Sequence, residues 1–176
     1  MNASFKLLAL FLCLSSISWA RTTYPPRRCT IKTWYGYYLT ALGGGGRKTS
    51  VLQTTKTTYG NYETFWLMDT GEDDPNGTPI YGILTYNHFY LTVVGGGGRT
   101  RDVIHSDATK LLAWEKFSFY SIEENLNWVA IRTQYHYFLT AVGGGGQYGG
   151  PYIDVIHSNR VGVDNWEKFL IELLPQ

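Results

Sequence analysis

Two stretches of the chain set a carboxylate and an imidazole at the same spacing: Asp102-Val103-Ile104-His105-Ser106 and Asp154-Val155-Ile156-His157-Ser158. Arg99 precedes the first and Gln147 the second, while Asp107 and Asn159 follow the two histidines. Tyr and Trp are abundant around them. Aromatic faces beside Asp, Asn and Arg are what a neutral polyhydroxylated ligand needs. Rings stack on the apolar faces of a sugar, and fixed polar groups orient its hydroxyls. Asp102, His105, Asp154, His157, Arg99 and Gln147 are therefore the candidate ligand-binding residues. The plainer reading of His105 and His157 is a hydrogen-bonded, partly buried imidazole, and Asp and Asn also mark turns.

Other chemistries find less support. A metal site needs three or four converging ligands, and the histidines fall into two pairs, His105 with His157 and His88 with His136, at positions that a repeat keeps apart. No metal and no cofactor is expected. An enzyme requires a positioned base and nucleophile or a converging acid pair. The carboxylates are scattered and the sequence contains no catalytic motif, so no catalytic residue is assigned. Three runs of four glycines, 43–46, 95–98 and 143–146, superficially suggest a phosphate cradle. Such a cradle follows a strand and opens a helix, whereas each run here lies between two strand-like segments. A mobile hairpin turn with positive φ is the expectation.

The elements that position these residues come in three copies. Tyr38-Leu39-Thr40-Ala41-Leu42 and its glycines recur as Tyr90-Leu91-Thr92-Val93-Val94 and as Phe138-Leu139-Thr140-Ala141-Val142, at intervals of about fifty residues. Each copy carries four strand-like runs, which in the third are 129–133, 137–142, 154–158 and 166–173. Gly, Asn and Asp punctuate the gaps, as hairpins require. The first copy is divergent: Val51-Leu52-Gln53-Thr54 replaces Val-Ile-His-Ser, and Tyr62-Glu63-Thr64-Phe65 replaces Trp-Glu-Lys-Phe. The third alone carries the extra residues Gln147 to Tyr152 after its glycines.

Three four-stranded units can close into a barrel without exposed edges. The order Leu-Thr-Ala, Gly-rich turn, Val-Ile-His-Ser, Trp-Glu-Lys-Phe resembles the repeat of the fascin-like β-trefoil family, in particular its secreted single-trefoil modules. The resemblance covers residues 29–173 and implies an all-β fold, a β-trefoil of three pseudo-threefold repeats of four strands. It also implies that Trp114, Trp166 and Tyr62 pack against the barrel with Phe65, Phe117 and Phe169. Ricin-type trefoil lectins mark their strands with Gln-x-Trp, which is missing here.

The organisation expected for the whole chain is a signal peptide at 1–20, an N-terminal segment at 21–28 and a domain at 29–176, with repeats at about 29–71, 80–123 and 128–173. Lys6 followed by an apolar core and Ser18-Trp19-Ala20 supports the first, and with it secretion to the extracellular space. The chain has 15 basic and 14 acidic side chains, equal in number once Lys6 is removed. A neutral balance supports neither a nucleic-acid partner nor a membrane surface. Cys29 is then the single remaining cysteine, expected buried, so no disulfide framework exists. Asn76-Gly77-Thr78 is a glycosylation sequon in a polar loop, and Asn76 is the candidate acceptor. The partner expected is a glycan or an extracellular matrix component. The functional readings are a non-enzymatic, lectin-like module with two or three weak related sites, an extracellular structural protein of mucus, cuticle or mineralised layer, and an actin binder by fascin analogy. The signal peptide speaks against the last.

Overall fold

A computed structural model describes residues 22–122 and 127–175, so the expected signal peptide lies outside the described residues. Twelve strands fall into three units of four: β1 (Arg27–Thr33), β2 (Tyr38–Ala41), β3 (Leu52–Lys56) and β4 (Thr64–Asp73); β5 (Pro79–Leu84), β6 (Tyr90–Val93), β7 (Ile104–Ala108) and β8 (Lys116–Ser121); β9 (Trp128–Thr133), β10 (Phe138–Ala141), β11 (Ile156–Arg160) and β12 (Lys168–Leu173). The first and last strand of each unit pair in a closed antiparallel ring, β1–β4–β5–β8–β9–β12 and back to β1. The hairpins β2–β3, β6–β7 and β10–β11 cover one end. This is the β-trefoil expected from the repeats. Among the described residues the helical content is limited to three-residue 3-10 turns.

The core is built from equivalent residues of the three units. Leu39, Leu91 and Leu139 are buried, as are Ile31, Ile83 and Ile131, and Phe65, Phe117 and Phe169. Burying each large apolar side chain contributes roughly 1.5–3 kcal/mol. Cys29 sits in this core fully shielded, and burial pushes its thiol pKa up to about 12. Thr33, Thr85 and Thr133 close the first turn of each unit. Each hydroxyl accepts the N–H of the residue four further on, at 3.3 Å. That turn needs one left-handed residue, supplied by Gly36 (φ 86°) and by His88 (φ 63°) and His136 (φ 69°) in the other units. The second histidine pair therefore serves these turns, exposed at two separate corners.

Two expectations fail. Trp114 and Trp166 are not core residues: they are 44% and 45% exposed, and their counterpart Tyr62 is 46% exposed. The cause is a 3-10 turn before the last strand of each unit (Asn61–Glu63, Ala113–Glu115, Asn165–Glu167), which turns the aromatic outward and the next residue, a glutamate, inward. Glu63, Glu115 and Glu167 are buried. Each accepts the backbone N–H three residues earlier, at 2.8–2.9 Å, in place of an orphan helix donor. Thr92 and Thr140 also donate to Glu115 and Glu167, at 2.7 and 2.8 Å, tying the middle strand to the last.

The glycine runs, in turn, are docked elements rather than free hairpins. Gly46, Gly98 and Gly146 donate to the carbonyls of Ser106, Ser158 and Thr54 in the next unit, at 2.6, 2.7 and 2.6 Å. The N–H groups of Ser106, Ser158 and Thr54 return the bond to Arg47, Arg99 and Gln147 at 2.8, 2.9 and 3.0 Å. Three identical two-bond bridges thus tie each unit to the next around the cap. The next unit's first turn presses on the run itself: a Cβ at Gly144 would collide with the ring of Tyr35, and one at Gly96 with Tyr135.

Candidate functional site

A lateral cleft of about 510 Å³ opens at the seam between the third unit and the first. Tyr35, 59% exposed, forms one wall. It stands there because Gly144 has no side chain to push it away. Trp166, thrown outward by its 3-10 turn, lines the same cleft. The lining also includes His157, Asn159 and Arg160 from β11, and Asp164 and Asn165 from the turn that follows it. Arg160 Nη2 meets Asp164 Oδ2 at 2.9 Å, and Arg160 Nε lies 3.7 Å from Glu167 Oε1. Partial burial lowers the pKa of His157, opposed in part by the nearby Asp154 carboxylate. The imidazole is thus neutral at neutral pH and able both to donate and to accept a hydrogen bond.

The other two seams carry the same frame with different chemistry. At the second, Trp114 remains and Tyr135 packs over Gly96, but Leu112 and Ala113 replace Asp164 and Asn165, and Ala108 replaces Arg160. At the first, Tyr62 replaces the tryptophan and Asn87 replaces the tyrosine, its amide bonded to the Gly43 carbonyl at 3.0 Å. The polar set is complete at one seam.

The remaining sequence candidates gather elsewhere. Asp102 and Asp154 do not line separate pockets. They meet at an opening of about 410 Å³ ringed by Ser50, Asp102 and Asp154, equivalent residues of all three units, and hence on the pseudo-threefold axis. Asp154 accepts the N–H groups of Asp102 (2.8 Å) and Val103 (3.4 Å), and Asp102 takes up His105 at 2.7 Å and Arg99 at 3.4 Å. The Arg99 side chain folds onto its own loop, with Nε donating to the Arg101 carbonyl at 3.2 Å. Gln147 contributes its backbone, which accepts from Thr54 N–H and donates to the Thr54 hydroxyl at 3.2 Å. Of the six candidates, His157 alone is in the lateral cleft. Sequence reasoning missed Tyr35, Asp164 and Asn165, and misplaced Trp166. One signal was available for the tryptophan: it precedes the core Phe169 by three positions, and in an alternating strand residues three apart face opposite sides. Among the described residues no group of three or more His, Cys, Asp or Glu could hold a metal ion.

No family model matches the chain, and no curated protein matches it in sequence. Solved structures do match in fold. The Rhizoctonia solani agglutinin is 16% identical with a TM-score of 0.60, the match covering 87% of this chain and 100% of that one. SeviL, in complex with asialo-GM1 saccharide, is 13% identical with a TM-score of 0.56, covering 84% and 98%. 1,3Gal43A, an exo-β-1,3-galactanase from Clostridium thermocellum, is 13% identical with a TM-score of 0.64, covering 84% of this chain but 30% of that enzyme. At these identities the likeness is one of architecture, and the chain is a β-trefoil.

Proposed function

We propose that this protein is a secreted, non-enzymatic glycan-binding module, and that its principal site is the lateral cleft between the third and first units. One observation carries the reading: two exposed aromatic rings, Tyr35 and Trp166, line a single open cleft together with the polar groups of His157, Asn159 and Asp164. A sugar presents an apolar ring face for the one and hydroxyls for the other. Asp164 accepts hydroxyl protons, Asn159 and Asn165 donate and accept, and neutral His157 does either. Nearly half of the Trp166 surface stays open to a ligand. That two proteins of the same fold are an agglutinin and a protein bound to a saccharide supports this choice among ligand classes. The order of repeat motifs supports kinship with the fascin-like single-trefoil modules.

The second seam, which keeps Trp114 and Tyr135 without the polar set, binds more weakly, and the first contributes little. A multivalent surface makes up for weak single sites by avidity. The test is retention on immobilised glycans. Trp166→Ala abolishes it while leaving the melting temperature within a few degrees of the parent. Loss of retention accompanied by a collapse of stability returns Trp166 to the core and removes the reading's support. A structural matrix role is favoured by one feature, the exposed tyrosines Tyr148 and Tyr152 on the third unit's extra loop. It takes precedence if the protein self-assembles and ignores every glycan.

A further inference from the structure

The charges of the lateral cleft bear on which glycans it admits. The one Lys or Arg among its described lining residues, Arg160, is held between two carboxylates, Asp164 on Nη2 and Glu167 on Nε. Glu167 is buried and itself fixed by Thr140 and the Asp164 N–H, so it cannot swing away from the guanidinium. The nearest lysine along the chain, Lys168, stands on the following strand with its ammonium 4.6 Å over the Trp34 ring. His157 adds no positive charge, because burial holds it neutral at neutral pH. The cleft therefore sets one guanidinium against two carboxylates, the exposed Asp164 and the buried Glu167, which leaves an excess of one negative charge on its wall.

Resting on the glycan-binding reading above, we propose that this cleft selects neutral glycans and rejects their sialylated and sulfated counterparts. An anionic substituent meets a net negative wall, where the charge of the guanidinium is already offset by two carboxylates. The same groups suit neutral sugars, since a fixed carboxylate and two amides orient hydroxyls without demanding charge on the ligand.

The experiment presents the full chain with an array of neutral glycans, each beside its sialylated or sulfated counterpart, at low and high salt. Binding of neutral members with about a tenfold or greater loss for the anionic partner supports the proposal. That loss is expected to shrink in high salt, as screening weakens the repulsion. Asp164→Asn is expected to narrow the neutral-to-anionic ratio, and where the variant loses both ligands the salt series on the parent protein decides. Equal or tighter binding of the anionic members overturns the proposal and leaves the glycan reading standing, as does a discrimination that salt does not alter. Failure to bind any glycan overturns both.

Discussion

Threefold repetition provides an internal control for the buried glutamates. Thr92 and Thr140 donate their hydroxyls to Glu115 and Glu167 at 2.7 and 2.8 Å, while Thr40, at the same place in the first unit, has a buried hydroxyl with no partner among the described residues. All three threonines are less than a tenth exposed. Thr140→Val swaps the hydroxyl for a methyl of similar size and strips a buried carboxylate of a donor. Hydrogen bonds to charged groups are worth about 1.5–3 kcal/mol, and the partner left behind bears that loss. Thr40→Val removes a polar group that burial already penalises, so it is expected to be neutral or stabilising by up to about 1 kcal/mol. For a domain of this size each kcal/mol moves the melting midpoint by roughly 2–4 °C. Thr140→Val is thus expected to melt about 3–12 °C lower and Thr40→Val at or above the parent. Calorimetry, with denaturant titration to check that the m-value is unchanged, reads the difference. Equal destabilisation by both changes would refute the idea that the glutamate bond, rather than packing at this site, does the stabilising.

Further outcomes follow from the same geometry. Cys29, whose thiol pKa is pushed up to about 12, is expected to resist alkylation at pH 8 in the folded protein and to react promptly in denaturant. His157 has a folded pKa below its ordinary 6.5, so the unfolded chain binds the proton more readily. Its contribution is fully present above pH 6.5 and is lost as pH falls through the folded value. Melting curves from pH 7 to pH 5 should show a fall that His157→Gln flattens, glutamine being what the first unit carries at this position. Gly144→Ala forces a non-glycine residue to φ 77° and a methyl into Tyr35. It should cost roughly 1–2 kcal/mol for the backbone alone and weaken glycan retention by displacing the cleft wall, whereas Gly150→Ala, with open space around it, should do neither.

The fold was legible because it is written three times. Leu39, Leu91 and Leu139 and the three core phenylalanines recur in register, and recurrence at about fifty residues with four apolar runs leaves few architectures. The site was harder to read because it belongs to no single repeat. Tyr35 enters from the start of the chain and Trp166 from its end, and they meet only when the ring of strands closes. The join of Asp102 to Asp154 across the axis is likewise a tertiary contact that spacing along the chain does not encode. The glycine runs were correctly read as positive-φ turns, but their docking on the next unit depends on an absent side chain receiving a distant one. Trp166 is the instructive miss: similarity to a repeat suggested packing, while simple alternation from Phe169 pointed the ring outward.

The most direct test of the glycan cleft follows the indole N–H resonances of the isotope-labelled protein as oligosaccharides from a neutral panel are added. Trp34, Trp66 and Trp128 are partly buried and do not line the cleft, and Trp114 marks the second seam. The account expects the Trp166 resonance, assigned by its loss in Trp166→Phe, to shift first and furthest, with Trp114 following at higher concentration. Shifts confined to the residues around Asp102 and Asp154, with Trp166 unmoved by a sugar that demonstrably binds, would place the site on the threefold axis and contradict it.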